Sequence, residues 1–202
     1  MAIIVEHEKR KKEILENALN VFVEEGYADV TFQKIADRCG ITRTTLYIYF
    51  KNKREIFLWS IKQLTETLEQ DLISIVKDES ISSEQCLRKV LSKIVDSIVD
   101  NKKLFYVILT YLLQLRKHQD INISERVERR VLRLRHLLTA IIVRGQKAGE
   151  FRTLAVKSIN EIFYSLLESA VFRIAVLATL DSAAVRENLS LAVDGILVKS
   201  ES

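Results

Sequence analysis

Between Thr42 and Phe50 the chain reads TRTTLYIYF, interleaving hydroxyl, guanidinium and bare apolar groups. Turned at about 100° per residue, Leu46 and Phe50 share one side of a helix. Thr44 and Ile48 then point the other way, flanked by Arg43, Thr45, Tyr47 and Tyr49. An isoleucine between two tyrosines is a poor solvated surface, but it suits a duplex groove. Its methyl groups can meet a thymine methyl, the Thr and Tyr hydroxyls phosphates or base edges, and Arg43 a guanine. The competing reading is a face half-buried against a neighbouring helix. The surrounding charge favours the groove. From Thr31 to Arg54, Lys34, Arg38, Arg43, Lys51, Lys53 and Arg54 stand against Asp37 alone, a balance of +5 in a chain of net charge +4. Asn52 reads as a helix N-cap, so Lys53 and Arg54 fall in a first turn, where the helix dipole disfavours cations. A phosphate docked there would remove the conflict.

The elements that must position this face are legible in the residues before it. Thr31 can cap a helix through its hydroxyl, and Phe32, Ile35, Ala36 and Cys39 recur at the spacing of one buried stripe. Gly40 closes that helix, and Thr42 caps the next. Two short helices joined by so tight a turn form a helix-turn-helix, with Ala36 small enough for close approach and Ile41 and Leu46 filling the crossing. An earlier helix carries Ile14, Leu15, Ala18, Val21 and Phe22 inward and ends at Gly26. Lys9, Arg10, Lys11 and Lys12 ahead of that stripe read either as a flexible arm brushing phosphates or as a solvated tail.

From about Lys9 to Phe57 the chain resembles the DNA-binding domain of the TetR family of bacterial transcriptional repressors. The matching residues are Glu25-Gly26-Tyr27, Thr31, Ile35-Ala36, Gly40-Ile41-Thr42, Thr45-Leu46-Tyr47 and Tyr49-Phe50-Lys51-Asn52-Lys53. The resemblance implies phosphate contacts at Thr31, Thr42, Tyr47, Tyr49 and Lys53, and base contacts at Arg43, Thr44 and Ile48. Thr45 and Lys51 complete the expected interface. Two positions depart from the family pattern: Thr44, where a small residue such as Gly is frequent, and Ile48, often an aromatic or His. Both departures bear on the operator sequence.

A chain of 202 residues has room for such a head and a larger domain with its own core. It contains no proline, and strand-like alternation is absent. The expected fold is therefore all-α: an N-terminal three-helix DNA-binding domain with a helix-turn-helix over residues 1–52, then a larger helical bundle over residues 53–202. Asn52 opens a long helix to about Lys77, with Phe57, Ile61, Leu64, Leu68 and Leu72 on its buried side. A polar break over residues 78–83 precedes a helix carrying Leu87, Val90, Leu91, Ile94 and Ile98. After a second break at residues 101–103, LFYVILTYLLQL is apolar nearly all round and reads as a central helix. The next helix runs from Ser124 to Gly149.

Residues 156–180 and 182–198, bounded by Val156, Leu180, Ser182 and Val198, make two terminal helices with apolar faces too wide for one core. Glu161, Glu168 and Arg173 interrupt the first, which argues against a membrane span. Such faces call for a symmetric partner, and the resemblance implies a homodimer through these two helices. It also implies a small effector bound among the central helices. Tyr111, Gln114, His136 and Phe163 are the candidate contacts, and the aromatic content points to an apolar or aromatic molecule. His118 is a further candidate, although lone histidines and buried polar groups more commonly serve the core.

Cys39 and Cys86 lack metal or disulfide spacing and read as reduced residues of a cytoplasmic protein. The N-terminus, MAIIVEHEKRKK, lacks a signal-peptide core. Three scattered histidines, with no nucleophile elbow, phosphate loop or metal motif, argue against an enzyme and imply no cofactor. The favoured function is a ligand-responsive homodimeric repressor of a pseudo-palindromic operator. The alternative is a DNA-bound interaction protein with the same head and no small-molecule effector.

Overall fold

The computed structural model describes the backbone of residues 2–117, 121–177, 179 and 181–198, and the side chains of residues 6–113, 132–177, 179 and 181–198. The described residues form nine helices: α1 (Ala2–Glu25), α2 (Phe32–Arg38), α3 (Arg43–Tyr49), α4 (Lys53–Val76), α5 (Ser83–Asp100), α6 (Lys102–Lys117), α7 (Ile121–Lys147), α8 (Val156–Leu177) and α9 (Ser182–Ile196). The fold is all-α, and among the described residues β pairing is confined to one isolated bridge, Phe151 with Leu197. No helix among them is long and apolar enough to cross a membrane. The chain divides into two compact units at Thr67 and Leu68, inside α4. The sequence reading drew its boundary at residues 52 and 53. The first turns of α4 belong instead to the N-terminal unit, because Ile56 and Phe57 are fully buried in it and the Ser60 hydroxyl donates to Leu15 O at 2.9 Å.

In the first unit the inward stripe of α1, Ile14, Leu15, Ala18, Val21 and Phe22, meets Ile35 and Ala36 of α2, Leu46 of α3, and Phe50. Phe22 packs edge-on against Phe57, with ring centroids 4.8 Å apart. The basic residues expected as an arm or tail are helical, since α1 begins at Ala2. Two of them have partners: Arg10 pairs with Glu13 at 3.0 Å, and the Lys11 ammonium lies 4.6 Å from the Trp59 ring centroid.

The second unit is built around α5, α7, α8 and α9. Ser82 caps α5 in a reciprocal box with Gln85. Leu87, Val90, Leu91, Ile94 and Ile98 of α5 then meet Leu138, Ile141 and Ile142 of α7, Phe163 and Leu167 of α8, and Leu189 and Val193 of α9 in one core. A matched pair of polar stitches joins α5 to α9. Arg88 reaches Ser190 and Asp194, while Arg186 reaches Ser92 and Asp96, so each arginine spans a Ser and an Asp four residues apart on the facing helix. Asp181 caps α9, accepting from Ala183 N and Ala184 N. Two segment boundaries differ from the sequence reading. The break before α6 is Asn101 alone, and α7 begins at Ile121, three residues before Ser124.

Candidate nucleic-acid interface

The local chemistry of α2 and α3 fixes the turn between them. Thr31 Oγ1 accepts from Lys34 N at 3.2 Å and Thr42 Oγ1 from Thr45 N at 3.1 Å, so each short helix is capped at its start. At the end of α2, Gly40 takes φ +63°, Gly40 N donates to Asp37 O and Ile41 N to Ala36 O. This pair of bonds satisfies the last carbonyls of α2 and turns the chain within four residues, Cys39 to Thr42. A left-handed φ is tolerated by glycine at no steric cost, which is why Gly40 stands there. Leu46 and Phe50 anchor α3 with essentially no exposed surface, and the opposite face is left open. Ile48 is 69 % exposed and Tyr47 50 %. Arg43 and Thr44 are also exposed, whereas Thr45 and Tyr49 are half-buried.

The exposed face is held stiff by aromatic contacts from two other helices. Phe32 of α2 packs tilted against Tyr47 at 4.5 Å between centroids, and His7 of α1 stacks on Tyr49 at 4.6 Å. Ile48 thus stands between two tyrosines that are each pinned. Neither contact was foreseen from sequence. Helical period puts Phe32 in the buried stripe of α2, and His7 is one of three scattered histidines. The usable signal was their placement on the helices that flank α3.

The cations divide into committed and uncommitted groups. Lys34 pairs with Glu25 and Arg38 with Glu24, both across to α1. Lys53 has partners within the head. Its ammonium donates to Tyr27 O at 2.9 Å and Ala28 O at 3.2 Å and lies 4.7 Å from the Tyr27 ring centroid. The carbonyls beyond α1 therefore solvate a cation that the α4 dipole disfavours. Burial pushes the Lys53 pKa down, partly offset by Asp29. The α4 terminus is closed as well: Asn52 Oδ1 accepts from Glu55 N at 2.8 Å, and the Glu55 carboxylate accepts from Lys51 N at 2.6 Å. Arg43 stands apart. Among the described residues its hydrogen-bond partner is the Tyr47 hydroxyl, at 3.2 Å, and no carboxylate there pairs with it. Lys51 is exposed at the end of the same face.

Of the four candidate effector residues, Tyr111, His136 and Phe163 have described side chains, and these three do not share one kind of surroundings. Tyr111 on α6 and Phe163 on α8 are buried, Phe163 within the main core. His136 is exposed on α7, turned away from the buried Leu138 and Ile141, so it is not brought to an interior site. The side chains of Gln114 and His118 lie outside the described residues. Burial pushes the thiols of Cys39 and Cys86 up in pKa, as befits protonated side chains rather than reactive thiolates.

A capped helix-turn-helix presenting Arg43, Thr44, Tyr47 and Ile48 on an open helix face defines a DNA-binding head. Residues 14–58 match the family model for bacterial regulatory proteins of the tetR family. The match covers the head alone, from α1 to the start of α4. The chain is similar over 171 residues, at 27 % identity, to the fatty acid metabolism regulator protein of Bacillus subtilis, covering 81 % of this chain and 84 % of that one. Among solved structures it resembles a TetR transcription regulator from Haloarcula marismortui, with TM-score 0.84, 21 % identity, and coverage of 95 % of this chain and 100 % of that one. It also resembles the regulator FadR from Bacillus subtilis in complex with stearoyl-CoA, with TM-score 0.73, 24 % identity, and coverage of 91 % and 98 %. These two likenesses establish the fold.

Proposed function

We propose that this chain is a cytoplasmic transcriptional repressor that binds a pseudo-palindromic operator as a homodimer and releases it when a small effector binds. The observation that carries the reading is the open face of α3. A fully anchored short helix that leaves Ile48 69 % exposed between two pinned tyrosines has a shape fitted to the major groove and little other use. On this reading Arg43, Thr44 and Ile48 meet bases. Thr31, Thr42, Thr45, Tyr47, Tyr49 and Lys51 lie around the phosphates, and Lys53 supports the loop after α1 that frames them.

One such helix reaches only a few base pairs, so specificity calls for two heads roughly 34–36 Å apart. The surface of α8 and α9 supports a dimer. Ile162, Ser165, Ser169, Phe172 and Val176 repeat at spacings of three and four along α8, all exposed. Asn188, Leu191, Gly195 and Val198 do so along and just beyond α9. Large apolar groups alternating with Ser and Gly are what close helix packing against a second copy requires. Leu191 at 62 % exposure and Phe172 at 55 % would be poor solvent surfaces.

The effector reading draws on the Bacillus subtilis likenesses: a largely apolar acyl group, taken up between α6 and α8 near Tyr111 and Phe163. The deciding experiment is selection of duplexes from a random pool by the full-length protein, followed by titration with stearoyl-CoA and with coenzyme A alone. The expected result is enrichment of an inverted repeat that the acylated ligand releases and the bare one does not. Absence of any enriched sequence in dilute salt would refute the DNA-binding reading. Release by neither ligand would favour a DNA-bound interaction protein.

A further inference from the structure

We infer that Tyr47, grouped above with the residues around the phosphates, serves there as a positioning residue for Arg43, holding the guanidinium as a preset base reader. The inference rests on the DNA-binding reading above and adds a division of labour within it. Arg43 is the first residue of α3, where the helix dipole disfavours a cation, and no described carboxylate pairs with it. Left alone, a long arginine at an exposed helix start would sample many rotamers, and fixing one on binding would cost affinity. Here Nη2 donates to the Tyr47 hydroxyl at 3.2 Å, and the guanidinium carbon lies 5.7 Å from the Tyr47 ring centroid. Tyr47 is in turn held from outside α3, by the Phe32 ring of α2 at 4.5 Å. A chain of support therefore runs from α2 through Phe32 and Tyr47 to Arg43. Only one of the five guanidinium N–H donors is used, so a pair remains free to meet guanine O6 and N7 side by side. A base-reading role also explains why Arg43 is spared the carboxylate partners that Lys34 and Arg38 have.

The roles separate in a double-mutant cycle. Full-length wild type, Arg43→Ala, Tyr47→Phe and the double variant are titrated against the duplex that wild type enriches from a random pool, and against single-base-pair variants of it. Tyr47→Phe keeps the ring and its contact with Phe32 and removes only the hydroxyl. If Tyr47 positions Arg43, Tyr47→Phe weakens the enriched duplex about fivefold. That loss is confined to duplexes retaining the base pair at which the Arg43→Ala loss maps, and in the Arg43→Ala background it shrinks to less than about twofold. An equal loss in both backgrounds, or on every duplex alike, overturns the inference and makes Tyr47 a direct backbone contact. No loss on Tyr47→Phe overturns it too. If wild type enriches no duplex, the DNA-binding reading itself fails, a result distinct from either.

Discussion

Gly145 lies inside α7, and a methyl group there would have nowhere to go. A Cβ built on it stands 2.2 Å from Phe151 Cδ2, 2.4 Å from Cε2 and 2.8 Å from Cγ. Carbon atoms prefer about 3.5–4.0 Å, so the ring would have to retreat by more than about 1 Å. Its backbone is fastened on every side: Phe151 N donates to Gly145 O at 3.1 Å, Arg152 N to Ile196 O at 2.8 Å, and Val198 N to Glu150 O at 3.0 Å. The ring is 1 % exposed and cannot swing into solvent without abandoning the core. Overpacking of this kind costs about 3 kcal/mol at the upper end of its usual range, against about 1 kcal/mol gained by replacing a helical glycine with alanine. Gly145→Ala should therefore destabilise by about 2 kcal/mol net. For a chain of this size that lowers the melting temperature by about 4–8 °C. Thermal melts followed by far-UV circular dichroism, at one fixed protein concentration because association stabilises, would read it. Phe151→Leu in the same background should recover part of the loss, since the smaller side chain vacates the clashing volume. An unchanged or raised melting temperature for Gly145→Ala would show that the ring yields freely and that the packing argument is wrong.

Other outcomes follow from the same contacts. Lys53→Met removes both carbonyl bonds at the end of α1 and should lower the stability of the N-terminal unit by about 1 kcal/mol. A denaturant titration followed at Trp59, the single tryptophan, would show no shift if those bonds contribute nothing. For Glu150, burial pushes the carboxyl pKa up, but the amides of Ser83 and Glu84, the Ser83 side chain and Arg144 together leave it below the usual carboxylate range. Its contribution to stability is then complete above the ordinary carboxylate pKa and lost as pH falls through the lowered value. Glu150→Gln should accordingly flatten the acid limb of a stability–pH curve, and an identical limb in both proteins would count against the assignment. Leu191→Arg places a charge in the proposed α9 seam and should give monomers in sedimentation velocity, with operator affinity reduced more than about tenfold. A variant that stays dimeric and binds normally would move the interface elsewhere.

Features that depend on a few neighbouring residues were legible in the sequence. Thr31 and Thr42 cap because a hydroxyl reaches an amide three residues on. Gly40 closes α2 because only a local bond pattern is needed there. The inward stripes of α1 and α5 and the outward set Arg43, Thr44, Tyr47 and Ile48 followed from helical period alone. Contacts set by tertiary approach were not legible. The stacking of His7 on Tyr49 joins residues 42 apart in the chain, and the bonds of Arg88 to Ser190 span 102 positions. Lys53 shows the difference well. Local reasoning recognised an unfavourable cation at a helix start, but its partners, Tyr27 O and Ala28 O, lie 26 and 25 residues earlier and no periodicity announces them. The start of α1 was obscured for another reason. A run of four basic residues reads as solvated chain until Glu13, Trp59 and Phe50 are brought beside it.

One helix belongs to both units, and its two ends are held by different chemistry. That helix is α4. Near its start the Ser60 hydroxyl is spent on Leu15 O of the head. In its last turn, where every helix leaves carbonyls without intrahelical partners, Ile75 O accepts from Cys86 Sγ at 3.6 Å and Val76 O from Arg144 Nη1 at 3.1 Å. Arg144 also donates to Ser83 Oγ at 3.2 Å, tying α7 and the start of α5 to the same turn. A rearrangement of α5 or α7 therefore cannot leave the end of α4 untouched without breaking these bonds. In the proposed repressor this limits what an effector can do. One that binds the operator-bound and released forms equally releases nothing, however tightly it binds. A preference of about 1–3 kcal/mol for the released form is enough for a roughly 5- to 150-fold loss of operator affinity. That is comparable to the free energy of one or two charge-assisted hydrogen bonds of the kind Arg144 makes.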